Sequence, residues 1–368
     1  MLTQEKILDA LRGVKDPELN MSLVELGMIR NIRIDGSRVS LDVILTIQGC
    51  PLKVKIQEDV EKAIRALGAE EVNIRFGSMT DEERAALSAK LRKQRAGAGP
   101  APRPGAPLSP LLAEDSKTQF IAVASGKGGV GKSTVTVNLA VALAREGKKV
   151  GIIDADIYGF SVPDMMGIEQ GPVVIDKTIL PVERFGVKVI SMAFFVRDNA
   201  PVIWRGPMLG KMLRNFFTEV HWDDLDYMLL DLPPGTGDVA LDVHQLIPQS
   251  KEIIVTTPHA TAAFVAARAG NMALHTKHEI LGVVENMSWY ACSACGNRDY
   301  VFGRGGGEKL AKELGTELLA QIPLGAPDND MDDPDFSPSV YAADTETGRI
   351  YADLARRVIQ KTSVEVGN

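Results

Sequence analysis

The sequence predicts an α/β protein, in which a doubly wound, mostly parallel sheet follows a small α/β domain. Three observations predict this. Seven short apolar runs, 120–124, 150–154, 187–192, 227–231, 253–257, 280–285 and 318–322, follow residue 118, with helical stretches between most of them. Runs of that kind suit strands buried on both faces of a parallel sheet. Before residue 80 the pattern changes, and 29–34 and 39–47 alternate apolar with polar side chains, as half-buried strands do. Between the two regions, 96–107 is built from Ala, Gly, Pro and one Arg, a composition that cannot form a core and reads as a linker.

Taken in order, 3–11 has a helical pattern, and Asp35-Gly36 supplies a turn between the two alternating strands. Residues 52–67 are amphipathic at helical spacing, and 72–76 return as a strand. The charged, alanine-rich stretch 81–95 reads as a solvated helix. The expected domains are therefore 1–80, a connecting helix and linker over 81–117, and 118–368. No internal repeat is visible.

Bulk properties narrow the function classes. The chain of 368 residues is 45% hydrophobic and 24% charged, which is ordinary for a globular protein. Its net charge of −7 offers no general attraction for nucleic acid or anionic lipid. The first residues, Met1 to Lys6, lack the basic start and apolar run of a signal peptide. No apolar stretch reaches the ~18 residues of a membrane span. Three cysteines are too few for a secreted disulfide scaffold. The expectation is a cytoplasmic protein that acts on neither membrane nor nucleic acid.

The chemistry begins at Gly126-Lys127-Gly128-Gly129-Val130-Gly131-Lys132-Ser133-Thr134, which fits G-x-x-x-x-G-K-[ST] between a buried strand and a helix. Glycines let backbone N–H groups turn inward around phosphate oxygens. Lys132 can reach the β- and γ-phosphates, Ser133 can bind Mg²⁺, and the helix N-terminus adds partial positive charge. The expected ligand is ATP with Mg²⁺. Asp231, ending an apolar strand before Leu232-Pro233-Pro234-Gly235, is placed to hold the Mg²⁺ shell, and the Pro-Pro-Gly turn to sense the γ-phosphate. Asp154-Ala155-Asp156 ends a neighbouring strand; Asp154 suits Mg²⁺ and Asp156 the attacking water.

Cys292-Ser293-Ala294-Cys295 can hold a soft metal through two thiolates, form a redox disulfide, or carry two inert thiols. Two ligands do not complete a tetrahedral zinc or four-cysteine cluster site, whereas two copies of the pair would. Cys50, before Pro51 and an amphipathic helix, suits a small buried hydrophobe or a transient thiol contact. His259 lies near a strand end and suits a plain loop residue; the other four histidines show no ligand spacing.

Lys127, directly after the first glycine, makes the loop resemble the deviant Walker A of the MinD/ParA and nitrogenase-iron-protein class. That resemblance implies an ATP-dependent homodimer in which Lys127 reaches the partner's phosphates. Further stretches, Asp154 to Gly159, Trp204 to Met208, Asp231 to Asp238 and Glu285 to Ser288, resemble the Mrp/ApbC branch of iron–sulfur cluster carrier ATPases. Residues 1–80, with Thr46 to Leu52, resemble the small iron–sulfur assembly domain that often precedes such an ATPase. Phe160 departs from the proline usual after Tyr158-Gly159. The resemblance implies that Asn286 reads adenine and that Cys292 and Cys295 bind a bridging [4Fe–4S] cluster at the dimer interface. It also implies hydrolysis of ATP, cluster scaffold proteins as partners, and apo iron–sulfur proteins as recipients. The alternatives are a MinD/ParA-type positioning ATPase acting on membrane or DNA, and an electron-transfer ATPase like the nitrogenase iron protein. The first would want a basic amphipathic tail or basic surface. The second would want its cysteines in separate loops.

Overall fold

The computed structural model describes residues 2–16, 21–46, 53–80, 82–84, 86–87, 109–113, 115–156, 159–176, 178–195, 206–292, 294–333 and 336–363. Most of the expected 81–95 helix and the whole of the 96–107 linker fall outside them, as do Cys50 and Trp204-Arg205. By its internal contacts the chain divides into two compact units, one of residues 1–103 with 173–180, the other of 104–172 with 181–368.

In the first unit, helix α1 (Gln4–Leu11) starts where the Thr3 side chain accepts the Lys6 N–H at 3.3 Å, an N-cap that satisfies one orphan donor. Strands β1 (Ile29–Asp35) and β2 (Arg38–Leu45) pair antiparallel across the Asp35-Gly36 turn, where Gly36 takes φ +61°. Helix α2 (Lys53–Arg65) crosses to β3 (Glu71–Ser78), which pairs parallel with β2. Val39, Leu41, Val43 and Leu45 alternate inward from β2, and Ile56, Val60 and Ile64 meet them from α2 at helical spacing. A short hairpin of Val173–Ile175 and Thr178–Leu180 belongs to this unit, with Ile175 and Leu180 in its core.

The second unit is built on an eight-stranded sheet. Its strands are β4 (Gln119–Ser125), β5 (Val150–Asp154), β6 (Val182–Arg184), β7 (Val187–Ser191), β8 (Tyr227–Asp231), β9 (Lys251–Thr256), β10 (Ile280–Glu285) and β11 (Leu318–Gln321). They lie in the order β11-β10-β9-β4-β8-β5-β7-β6, and all pairs are parallel except β6 with β7. All seven expected strands are present. The antiparallel edge strand β6 has only three residues, too short to register in an apolar pattern. Strands β5, β8, β9 and β10 are buried at every position, as a sheet covered on both faces requires. Helices α3 (Lys132–Arg145), α4 (Ala260–His275), α5 (Gly306–Glu313) and α6 (Glu346–Ser363) supply part of that cover.

Because β4, β5 and β8 are neighbours and parallel, their carboxyl ends come together. Asp231 stands beside Asp154 in register, and the loop 126–131 leaves β4 next to both. Ligands bind at this end of open α/β sheets, where strands hand over to helices.

Candidate functional site

The loop after β4 is shaped by glycine where backbone must approach backbone. A Cβ on Gly126 would stand 2.3 Å from Val265 and Ala266 backbone atoms in α4, so no other residue fits. Gly129 and Gly131 take φ +78° and +80°, the left-handed region that costs glycine nothing. Helix α3 then begins with no side-chain cap on its first turn. Its orphan N–H groups and dipole therefore face a cleft of about 690 Å³. Lys127, Lys132, Ser133, Asp156 and Pro234 line this cleft together with the glycines. Lys127 is exposed, Thr134 half-buried, and Lys132 and Ser133 buried.

Asp231 is the hub of the buried charges. Its carboxylate accepts from Lys132 Nζ at 2.8 Å, Ser133 Oγ at 2.5 Å and Thr136 Oγ1 at 2.7 Å. Lys132 Nζ also lies 3.6 Å from Asp156. An ammonium and hydroxyls are thus gathered on one carboxylate, the groups that a phosphate chain with Mg²⁺ would draw upon. Mg²⁺ keeps several waters and takes few protein oxygens, so one hydroxyl and one or two carboxylates fit it.

Asp154 sits deeper. It accepts from Ser191 Oγ at 2.8 Å, from the Asp156 N–H at 3.2 Å and from the Val162 N–H at 3.4 Å. Burial, and next the neighbouring Asp231 charge, push its carboxyl up to about 7. Asp154, expected at Mg²⁺, has its oxygens on Ser191 and two backbone N–H groups, whereas Asp231 meets Lys132 and Ser133, which line the cleft. The side chain holds the loop after β5 in place. Asp156 does line the cleft; it accepts the Gly159 N–H at 3.1 Å, and burial raises its carboxyl against the pull of Lys132.

Asn286, which the resemblance assigns to adenine, also has a partner within the chain. Its Nδ2 donates to the Val130 carbonyl at 3.0 Å, which braces the phosphate loop from behind. His259 caps α4, its ring nitrogen accepting the Thr261 N–H at 3.2 Å, a structural use that matches a plain loop histidine. Elsewhere His244 meets Glu252 at the start of β9 and stacks on His278 at 4.2 Å, a buried cluster that sequence spacing does not reveal.

The cysteines occupy a separate place. Tyr290–Ala291 and Arg298–Asp299 form a two-stranded hairpin, and the Cys292 N–H donates to Asn297 while its carbonyl accepts the Gly296 N–H at 2.8 Å. Cys292 is half-buried and Cys295 exposed, and neither is in a disulfide. The backbone N–H groups of Ala294 and Cys295, then the Cys295 side chain, point at the Cys292 sulfur and hold its thiol below the usual range. This knuckle favours thiolate. Among the described residues no group of three or more His, Cys, Asp or Glu could hold a metal ion, and the knuckle brings two sulfurs.

Thr136 and Ser191 escape sequence reading, as does the use made of the Glu285 side chain. Thr136 was accessible in principle, standing three residues after Ser133 on the same helix face. Ser191 ends a strand without any local motif, and Glu285 ends one where the motif does not tell what its carboxylate meets.

Comparison with known proteins agrees with this geometry. Residues 116–359 match the family model described as NUBPL iron-transfer P-loop NTPase, and residues 4–76 match that of an iron–sulfur cluster assembly protein. An iron–sulfur cluster carrier protein of Bacillus subtilis is 52% identical over 368 residues, covering 100% of both chains. One from Synechocystis is 38% identical over 371 residues, covering 99% of each chain. Among solved structures, a nucleotide-binding protein from Archaeoglobus fulgidus in complex with ADP is 40% identical, with a TM-score of 0.50 over 65% of this chain and 87% of that one. Among the described residues no helix is long and apolar enough to cross a membrane.

Proposed function

Since this chain belongs to the NUBPL iron-transfer P-loop NTPase family, we propose that it binds and hydrolyses ATP and carries a labile [4Fe–4S] cluster to apo-proteins. The observation that carries the cargo half of this reading is the knuckle at Cys292 and Cys295. Two sulfurs, one of them acidified by backbone N–H groups, stand at the surface with half the ligands that a four-cysteine cluster needs. A second copy of the chain supplies the other two, which makes the homodimer part of the site. ATP-dependent positioning on membrane or DNA has no use for such a pair.

In the nucleotide half, the glycine loop and the first turn of α3 bind the phosphates, and Lys132 neutralises the β- and γ-oxygens. Lys132 leaves Asp231 to do so, which frees that carboxylate and Ser133 Oγ for Mg²⁺ and its waters. When bound, Mg²⁺ neutralises charge on the transferring phosphoryl group. Asp156, raised by burial and facing the cleft, orients the attacking water. Lys127, exposed at the cleft mouth, is free to reach a partner's phosphates. Asn286 Oδ1, the half of the amide not spent on Val130, is the acceptor left for an adenine amine. Clients are apo iron–sulfur proteins, loading comes from scaffold proteins, and the setting is the cytoplasm.

The test is iron and acid-labile sulfide per dimer after anaerobic reconstitution, in wild type and in Cys292→Ser/Cys295→Ser. The expected result is about four of each in wild type and none in the variant. Cysteine-dependent zinc in place of iron would make the knuckle structural, and metal independent of both cysteines would end the carrier reading.

A further inference from the structure

The segment that carries Cys292 starts against the phosphate loop. Asn286 directly follows β10, and its Nδ2 donates to Val130 C=O between the two left-handed glycines. A Cβ on Gly131 would stand 2.1 Å from that Nδ2, so the amide is wedged against the loop with no slack. Met287 follows at φ +58°, a left-handed conformation that is strained for a side chain of its kind.

From there each residue from Ser288 to the hairpin has a partner. The Ser288 N–H donates to Ile322 at 2.8 Å, and Trp289 C=O accepts the Leu324 N–H at 2.7 Å. Tyr290 bridges to Leu324, and Ala291 pairs with Arg298, whose guanidinium lies 4.4 Å over the Trp289 ring. The far stem is fixed as well. Glu285, buried, accepts from the Gly307 N–H at 2.6 Å, from Ser288 Oγ at 2.9 Å and from Gln321 Nε2 at 2.8 Å. The result is a short strut, anchored at both stems, with the phosphate loop at one end and the cysteine pair at the other.

We propose that Asn286 is a positioning residue that couples nucleotide occupancy of the phosphate loop to the exposure and reactivity of Cys292. The proposal rests on the nucleotide-and-thiolate reading above and deepens it by naming the link between the two sites. Phosphates draw the loop N–H groups toward themselves, and turning the peptide that follows Val130 re-aims the carbonyl that Asn286 holds. A shift of that acceptor moves Asn286 and, through a segment tied at Ser288, Trp289, Tyr290 and Ala291, the knuckle. Coupling of this kind needs a contiguous element that both sites bias, which the strut provides.

The test uses the full chain, reduced and free of iron, with iodoacetamide as probe. Modification of Cys292 is followed by mass spectrometry with and without a saturating Mg²⁺ complex of a non-hydrolysable ATP analogue, whose binding is measured separately. In wild type the nucleotide should change the rate about threefold or more. Asn286→Asp offers Val130 no N–H and, at analogue concentrations where the separate measurement shows it occupied, should show one rate in both states. Met287→Gly, which lies outside the cleft and relaxes the strained residue, should cut the response by about half or more, and decides the matter if the first variant loses nucleotide. A purely structural Asn286 would lower stability in both states and leave the ratio intact. A wild-type ratio of one, or a wild-type ratio retained in the informative variant, overturns the proposal. Reconstitution without iron would sink the carrier reading and leave this ratio untouched.

Discussion

The two halves of the proposed machinery are built on opposite plans. The nucleotide cleft lies at the carboxyl ends of three central strands, where Asp231 and Asp154 are fully buried and each accepts hydrogen bonds from several protein donors. The cysteine knuckle sits on a hairpin of two-residue strands, with Cys295 exposed and Val301 and Phe302 at the surface nearby in sequence. A cleft that must stabilise developing charge gains from rigid, water-poor surroundings. A site that must release its cargo gains from exposure and from ligands shared with a second chain. Removing the cation that a buried carboxylate relies on in the first should therefore cost both fold and activity, and removing a thiol from the second should cost cargo alone.

The largest effect that would sharpen this contrast is expected from Lys132→Ala. It leaves Asp231 buried without its cation, which typically costs about 3–5 kcal/mol when a buried pair is broken. Loss of a charge-stabilising donor lowers turnover by roughly 10²–10³-fold. Urea denaturation and phosphate release, measured on the same preparations, check both numbers. Wild-type turnover in the variant would remove Lys132 from the nucleotide site.

Much of the cleft was legible before the structure because its chemistry sits in contiguous motifs. Gly126 to Thr134 and Asp231 to Gly235 each place their residues by local spacing, and the strand pattern brought the two motifs to one sheet end. What stayed hidden depends on long-range packing. Ser191 reaches Asp154 only because β7 lies beside β5, and nothing near Ser191 in sequence marks it. The partners of Asp154 and Asn286 stayed hidden for the same reason, since sequence supplies the side chain and not the donor or acceptor that meets it. Glu285 reads as the last residue of an apolar strand, yet it ties two loop stems that are 22 positions apart. Cys50 lies outside the described residues.

A middle-sized effect comes from Asp154. Its folded carboxyl titrates near 7 against an ordinary value of 3.8, so between those limits the native state binds more protons than the unfolded chain. Stability of the nucleotide-free protein should therefore fall as pH rises from about 4 to about 7 through this group. Asp154→Asn removes the charge and should flatten that slope, with a higher melting temperature than wild type at pH 8 and convergence at acid pH. Parallel melting curves across the whole range would show that burial of Asp154 is not what limits the cleft.

The smallest effect on the fold is expected where the effect on cargo is total. Cys292→Ser/Cys295→Ser alters a half-buried and an exposed side chain, and surface substitutions of that sort usually stay within about ±0.5 kcal/mol. Nucleotide binding should match wild type, because neither cysteine lines the cleft. The acidified Cys292 sulfur should show itself in the single variant Cys295→Ala, through an iodoacetamide rate that rises at a pH below that of an ordinary cysteine. Part of the acidity comes from the Cys295 side chain, so the midpoint in wild type should lie lower still than in Cys295→Ala, which removes that donor. Backbone N–H groups make the larger contribution and survive the substitution, which is why the variant should fall between wild type and a free thiol. A midpoint at the ordinary thiol value in both proteins would mean that the knuckle does not favour thiolate, and the contrast between a finished cleft and a half-built metal site would lose its chemical basis.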